Sequence, residues 1–224
     1  RLREQGVRFI SDQRAVESGT VVISAHGASD STQKDLRDRG LNCPMVVIGD
    51  GALGIWVAAR EVWPQARPQR CWNHRVLNVL DKLPKRLWPQ VRKDLRLAAT
   101  APTCAICRER LERIAAELRQ AGHEAAAETV LRDVEDFLTF YDFPQEHWQH
   151  LRTTNSIESI FAGVRLRTNV TKRLPNVNNA VYLVFKIIQR LAQHWRKITG
   201  SNLCGLVLAG VTFVDGQMAQ PLAA

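Results

Sequence analysis

The chain holds 224 residues, 45% hydrophobic and 24% charged, enough to bury a core without disulfides or metal. Its 31 Lys and Arg outnumber 22 Asp and Glu, and the resulting charge of +9 favours polyanionic partners, nucleic acid foremost. No run approaches the ~20 apolar residues that cross a bilayer, the opening Arg-Leu-Arg-Glu-Gln has no export signal, and five unevenly spaced cysteines read as reduced thiols, so a membrane span and a disulfide scaffold are excluded and the cytoplasm is expected.

Val7 to Ile10 and Gly19 to Ser24 read as short strands, and Thr32 to Arg39 as a polar helix closed by Gly40. After Pro44 the apolar run Met45-Val46-Val47-Ile48 predicts a buried strand in a sheet covered on both faces, ended by Asp50-Gly51. Ala52 to Trp63 is an amphipathic helix stopped at Pro64. From Asn73 to about Phe140 the periodicity is helical, over Val76–Leu83, Leu87–Ala99, Cys104–Gln120 and Glu124–Phe140. Further helices are predicted over Asn155–Arg167 and Val177–Ile198, and the tail from Ala219 is expected to fray. The outline is strands first, then an all-helical block, then more helices.

Two carboxylates stand where chemistry is often done. Asp50 closes the predicted strand, and in open α/β sheets sites form at the carboxyl ends of strands. Glu158 opens a helix in Thr153-Thr154-Asn155-Ser156-Ile157-Glu158-Ser159. Plainer roles stay open for both. Asp50-Gly51 can be only a turn, with Asp50 as a helix cap, and Asn155 and Glu158 have the spacing of a capping box.

The wider text carries a resemblance. It runs through Gly49-Asp50-Gly51-Ala52-Leu53-Gly54-Ile55-Trp56, Arg60-Glu61-Val62-Trp63-Pro64, Gln69-Arg70-Cys71-Trp72-Asn73-His74 and Asn78 to Lys85. It continues through Tyr141-Asp142-Phe143-Pro144, Glu146-His147-Trp148, Leu151 to Asn155, Glu158-Ser159 and Arg165-Leu166-Arg167-Thr168. From about Ser31 onward the chain resembles the Mutator-type transposases of bacterial insertion sequences. The resemblance implies an α/β, ribonuclease H-like catalytic fold with a large all-helical insertion, mostly helical overall. It implies an Asp-Asp-Glu triad in which Asp50 matches the second Asp and Glu158 the Glu. It also implies Mg²⁺ or Mn²⁺ as cofactor, DNA (terminal inverted repeats and target) as partner, a homo-oligomer, no membrane, and association with the nucleoid. Cutting and rejoining a phosphodiester passes through a crowded negative phosphorus centre, and two cations about 4 Å apart, held by carboxylates, suit that chemistry. Asp50 and Glu158 are thus expected as metal ligands.

The family's first Asp and its N-terminal DNA-binding region find no match among the residues ahead of Asp50, since Asp12 and Asp30 stand in no matching motif. The expectation is a truncated catalytic fold, defective on its own. The alternative is a non-catalytic DNA-binding remnant that interferes with a full-length transposase. Residues 1–30, through Leu2 to Ile10 and Val22 to Ser29, resemble the iron–sulfur hydroxymethylbutenyl diphosphate reductase, with His26 at a diphosphate-contacting position. A chimera follows. No cluster cysteine falls in that stretch, so no iron–sulfur centre is expected, and a reductase fragment is the remotest reading. The expected segments are 1–30, the reductase-like piece; 31–72, the sheet remnant with Asp50; 73–145, the helical insertion; 146–200, the C-terminal catalytic helices with Glu158; and 201–224, the tail.

Arg152, Arg165, Arg167, Lys172 and Arg173 surround the Glu158 helix and are expected to hold DNA phosphates, which positions without reading sequence. A solvated basic face is the plainer reading. Cys71, His74 and Asn155 are accessory candidates. Cys71 and His74 form Cys-x-x-His, and Cys104 and Cys107 form Cys-x-x-Cys; together they have the residue types of a structural zinc site. Zinc is nonetheless not expected, because Cys104 and Cys107 share a helical face as small buried residues. Of Trp72, Trp148 and Trp195, packing roles are favoured for at least two.

Overall fold

The computed structural model describes residues 43–219 apart from 52, 172, 174, 175, 195 and 196. The predicted elements ahead of residue 43, together with His26, Lys172 and Trp195, lie outside the described residues.

Strand β1 (Val46–Gly49) pairs in parallel with β2 (Arg67–Arg70), with Val46 opposite Arg67 and Gly49 opposite Arg70. A parallel pair needs a crossover, which α1 (Leu53–Val62) supplies. Sequence reasoning had no strand at Arg67-Pro68-Gln69-Arg70, since proline argues against one. The ladder explains why it is tolerated. Arg67 N donates to Met45 O at 3.2 Å and Cys71 N to Gly49 O at 2.8 Å, so alternate residues face β1 and Pro68 faces away. Its carbonyl accepts the Thr139 hydroxyl at 2.6 Å instead. Val46, Val47 and Ile48 are half-buried rather than buried as expected.

A helical block follows: α2 (Trp72–Leu80), α3 (Trp88–Ala99), α4 (Cys104–Gln120), α5 (Glu124–Leu131) and α6 (Val134–Leu138). Helix α4 buries Cys107, Leu111, Ile114, Ala115 and Leu118, the stripe that three- and four-residue spacing makes. Thr103 caps its start, accepting from Ile106 N. Gly122, at φ 79°, closes it: His123 N reaches Leu118 O and Gly122 N reaches Arg119 O, the double bond of a left-handed glycine cap.

The predicted single helix Glu124–Phe140 is broken. Asp133 takes a left-handed φ of 52° between α5 and α6. Arg75, buried on α2, donates to the carbonyls of Thr129 and Arg132 at the end of α5. A cation from another helix thus satisfies carbonyls that a continuing helix would have used.

One core joins these elements. Leu80, Leu95, Ala98, Cys107, Ala127 and Phe140 sit at its centre, and the rings of Phe140, Tyr141 and Trp148 pack mutually at 4.2–5.3 Å. Trp72 and Trp148 both belong to it, each donating its indole N–H to a carbonyl.

Helices α7 (Trp148–Leu151), α8 (Asn155–Thr171) and α9 (Val177–Ala192) follow, with α8 packed on α9. A side chain at Gly163 would lie 2.9 Å from Leu191 Cδ1, which is why the helices approach there. Helix α9 stops at Ala192, short of the predicted Ile198. After α10 (Cys204–Leu208) comes an unpredicted hairpin, β3 (Phe213–Val214) and β4 (Gln217–Met218). Asp215 and Gly216 turn it with φ of 48° and 80°, as a two-residue hairpin turn requires. Gly216 N donates to Tyr141 O, and the Asp215 carboxylate accepts from Cys104 N at 2.6 Å, docking the hairpin on the start of α4. The described residues are mostly helical with few strands, and none of their helices is long and apolar enough to cross a membrane.

Candidate active site

The two parallel strands end side by side, and the residues that follow them carry the chemistry. Asp50 follows β1, and Cys71 follows β2 and begins α2. Trp56 Nε1 and Arg70 Nη1 both donate to the Asp50 carbonyl, at 2.7 and 3.0 Å. A Cβ at Gly49 would stand 2.9 Å from Trp56 Cζ2, so only glycine lets the indole lie against the strand. Arg70 also bonds Asp133 Oδ2 at 2.7 Å and stacks over Trp56 at 5.1 Å.

A second segment locks onto the same place. Trp72 N donates to Arg152 O at 2.9 Å, and the backbone N–H and hydroxyl of Thr154 reach Cys71 Sγ at 3.4 and 3.3 Å. Asn73 Nδ2 donates to Asn155 Oδ1 at 2.7 Å. These bonds bring the start of α8, and with it Glu158, to the ends of the strands. The Asn155–Glu158 capping box gives way to a different arrangement, in which Asn155 takes the bond from Asn73 and the Glu158 carboxylate accepts the Thr154 hydroxyl.

His74, in the first turn of α2, lies beside Glu158 and lines one cleft with Asp50. Its Nδ1 is buried without a hydrogen bond and lies 3.8 Å from Glu158 Oε1. Burial opposes charge on the ring, but the Cys71 sulfur and then the Glu158 and Asp50 carboxylates outweigh it and raise the His74 pKa. Burial likewise opposes the Cys71 thiolate, yet the Thr154 hydroxyl and the His74 contacts prevail and lower its pKa. Among the described residues Cys71, His74 and Glu158 are the one group of three potential metal ligands, their donor atoms all within 4.8 Å of one another. The cleft beside them, about 380 Å³, is lined by Asp50, Arg70, Cys71, His74, Asn78 and Asp81 among others.

Cys104 and Cys107 stand apart from this group. Cys107 is fully buried and its thiol is pushed up to about 11 by burial, while Cys104 sits at the start of α4 under the hairpin. This matches the expectation that Cys104 and Cys107 are small residues apart from Cys71 and His74, whose third neighbouring donor is Glu158.

The basic residues divide by geometry. Arg152 is half-buried: Nη1 donates to Ala99 O at 2.6 Å, Nε to Trp148 O at 3.3 Å, and the guanidinium lies over Phe140, so its donors serve the fold. Arg165, Arg167 and Arg173 are exposed. On the continuous helix α8, Arg165 follows Glu158 by seven positions and projects from nearly the same face about 10 Å along the axis. Arg167, nine positions on, projects from the opposite face. Thr154, Arg70 and Arg75 were missed as holders of the site; Arg70 and Thr154 lie inside the quoted motifs, but nothing in the local pattern announces their partners.

The family described as Transposase, Mutator family matches residues 30–198. The chain is 38% identical over 187 residues to the transposase for insertion sequence element IS6120 of Mycolicibacterium smegmatis, covering 84% of this chain and 58% of that protein. It is 38% identical over 184 residues to the transposase for insertion sequence element IST2 of Acidithiobacillus ferrooxidans, covering 82% of this chain and 62% of that protein. A Rhizobium meliloti relative, the transposase for insertion sequence element ISRM5, is 29% identical over 166 residues, 71% of this chain and 40% of its own length. The chain spans about three fifths of the length of the first two relatives. With the family matched from the strands through α9, the chain belongs to the Mutator family of transposases.

Proposed function

We propose that this chain is the C-terminal catalytic part of an insertion-sequence transposase of the Asp-Asp-Glu type, built on a ribonuclease H-like fold. In this reading Asp50 and Glu158 hold divalent cations, Mg²⁺ or Mn²⁺, for DNA cleavage and strand transfer. The observation that carries it is that the parallel strands end side by side, so Asp50 lines one cleft with Cys71 and His74, while the Thr154–Cys71 and Asn73–Asn155 bonds bring the start of the Glu158 helix to the same strand ends, 108 positions along the sequence. Their donors are hard oxygens at the end of a strand and the first turn of a helix, a donor set that fits Mg²⁺.

Asp50 and Glu158 would hold the cations, which would supply charge neutralisation at the reacting phosphate. The chain's own residues do the rest. The Asp50 backbone is fixed by the indole of Trp56 and by Arg70, so its carboxylate has a rigid base. Thr154 holds the Glu158 carboxylate, and the bond from Asn73 to Asn155 fixes the start of its helix. Arg165, on the Glu158 face of α8, meets phosphates of the bound strand, and Arg173, beyond the helix, extends the basic track; from the sequence, Lys172 is a further phosphate-contact candidate. Arg167, on the far face, contacts a more distant phosphate or another subunit of a homo-oligomer. Arg152 holds the fold beneath the site.

The chain offers two of the three expected carboxylates in matching motifs, so strand transfer by this chain alone is expected to fail while DNA binding persists. The test is nicking and strand transfer on DNA carrying the element's terminal repeat, with Mg²⁺ or Mn²⁺, for the chain, Asp50→Asn and Glu158→Gln. DNA bound by all three without cleavage fits the proposal and marks a binding remnant. Cleavage lost in both variants would overturn the deficit while upholding the roles of Asp50 and Glu158. Absence of DNA binding would overturn the reading.

A further inference from the structure

We propose that Cys71, His74 and Glu158 form a second kind of metal site, one that takes Zn²⁺ through sulfur, nitrogen and oxygen. It goes beyond the all-oxygen cation site and rests on that reading only for its consequence, the sharing of Glu158. Zinc bonds of about 2.0 Å to N and O and 2.3 Å to S, at tetrahedral angles, put donors roughly 3.3–3.7 Å apart. The His74 Nδ1 and Glu158 Oε1 atoms are already 3.8 Å apart, and all three donor atoms lie within 4.8 Å. Closing the set requires side-chain rotation that brings the donors up to about 1 Å nearer.

Three further observations point to a ligand there. His74 Nδ1 is a buried polar atom that takes no hydrogen bond, whereas such atoms are ordinarily satisfied. Cys71 begins α2 and His74 stands three residues on, so a single helical turn presents both donors to one point. The Cys71 sulfur already accepts the N–H of Thr154, whose hydroxyl oxygen lies 3.3 Å away, and outer contacts of that kind orient a thiolate ligand. Three protein ligands beside an open cleft leave a fourth position for water. Soft sulfur and imidazole donors select zinc over Mg²⁺. Because Glu158 cannot serve both ions in one geometry, Zn²⁺ draws it away from Asp50 and opposes any Mg²⁺-dependent step.

Cobalt(II) tests the site by absorption and needs no activity. Titrating Co²⁺ into the chain is expected to give the intense thiolate charge-transfer band of a four-coordinate site, abolished by one equivalent of Zn²⁺. Cys71→Ser should remove the band. His74→Ala and Glu158→Gln should each weaken Co²⁺ binding by roughly tenfold or more, since even outer-contact losses cost that much. Cys43→Ser and Cys204→Ser should leave it unchanged. Far-ultraviolet circular dichroism establishes that each variant folds. Asp50→Asn separates the two readings: it should spare the cobalt band even where it abolishes Mn²⁺ binding. Absence of the band in the unaltered chain, or its survival in Cys71→Ser or in both His74→Ala and Glu158→Gln, would overturn the proposal.

Discussion

Replacing Gln69 by Met should destabilise the protein by about 3 kcal/mol, although the two side chains have similar length and shape. Gln69 is fully buried in β2 and makes three bonds. Its Oε1 accepts from Phe140 N at 2.7 Å, and its Nε2 donates to Arg70 O at 2.9 Å and to Phe137 O at 3.2 Å. Methionine leaves the Phe140 N–H without that acceptor, at a cost of about 1–3 kcal/mol for an unsatisfied buried group. The two donor bonds add about 0.5–1.5 kcal/mol each. Phe137 O keeps the Trp72 indole at 3.1 Å and so is not orphaned. Burying an apolar side chain in place of an amide returns roughly 1 kcal/mol. Urea unfolding with an unchanged slope measures the difference. A loss under about 1 kcal/mol would refute the claim that Gln69 joins β2 to the Phe137–Phe140 segment. Because Cys71 follows β2, metal binding should weaken with it.

Other expectations are independent. Gly49→Ala places a methyl 2.9 Å from the Trp56 ring and should cost about 1–3 kcal/mol in thermal or urea unfolding, whereas Gly51→Ala, with open space around it, should cost much less. Asp215→Ala removes the acceptor for Cys104 N at the start of α4 and should cost roughly 1 kcal/mol in urea unfolding; Asp215→Asn, which keeps an oxygen and tolerates the left-handed turn, should recover most of it. Cys107 gives a pH dependence. Its folded pKa of about 11 lies above the ordinary 9.0, so its contribution is fully present below pH 9 and is lost as pH rises through the folded value. Between pH 8 and 10.5 the unaltered protein should therefore lose stability more steeply than Cys107→Ala, by on the order of 1–2 kcal/mol. Parallel slopes would contradict that environment.

What was legible in the sequence had a local cause. The run Val46-Val47-Ile48 announced β1, and with it the placement of Asp50 at a strand end. Three- and four-residue spacing gave α4 with both bounds as observed, and it gave the helix that carries Glu158. What was not legible depends on distant partners. Pro68 hid β2, because only the ladder with β1 shows that its missing N–H falls on the side away from the neighbour. The break at Asp133 rests on Arg75, more than fifty residues earlier, reaching the carbonyls of α5. The turn at Asp215-Gly216 did carry a local hairpin signal, but flanking strands of two residues each give no alternating pattern to support it. In the site, Asp50, His74, Cys71 and Glu158 could be named from motifs; that Thr154 ties Cys71 to Glu158 could not.

Asp50 and Glu158, as proposed, form one cation site. Electron paramagnetic resonance of Mn²⁺ titrated into the chain, Asp50→Asn and Glu158→Gln tests it without requiring catalysis. Binding is expected in the unaltered chain, weakened roughly tenfold or more by either substitution, with Mg²⁺ competing. Equal Mn²⁺ affinity in all three proteins would contradict it.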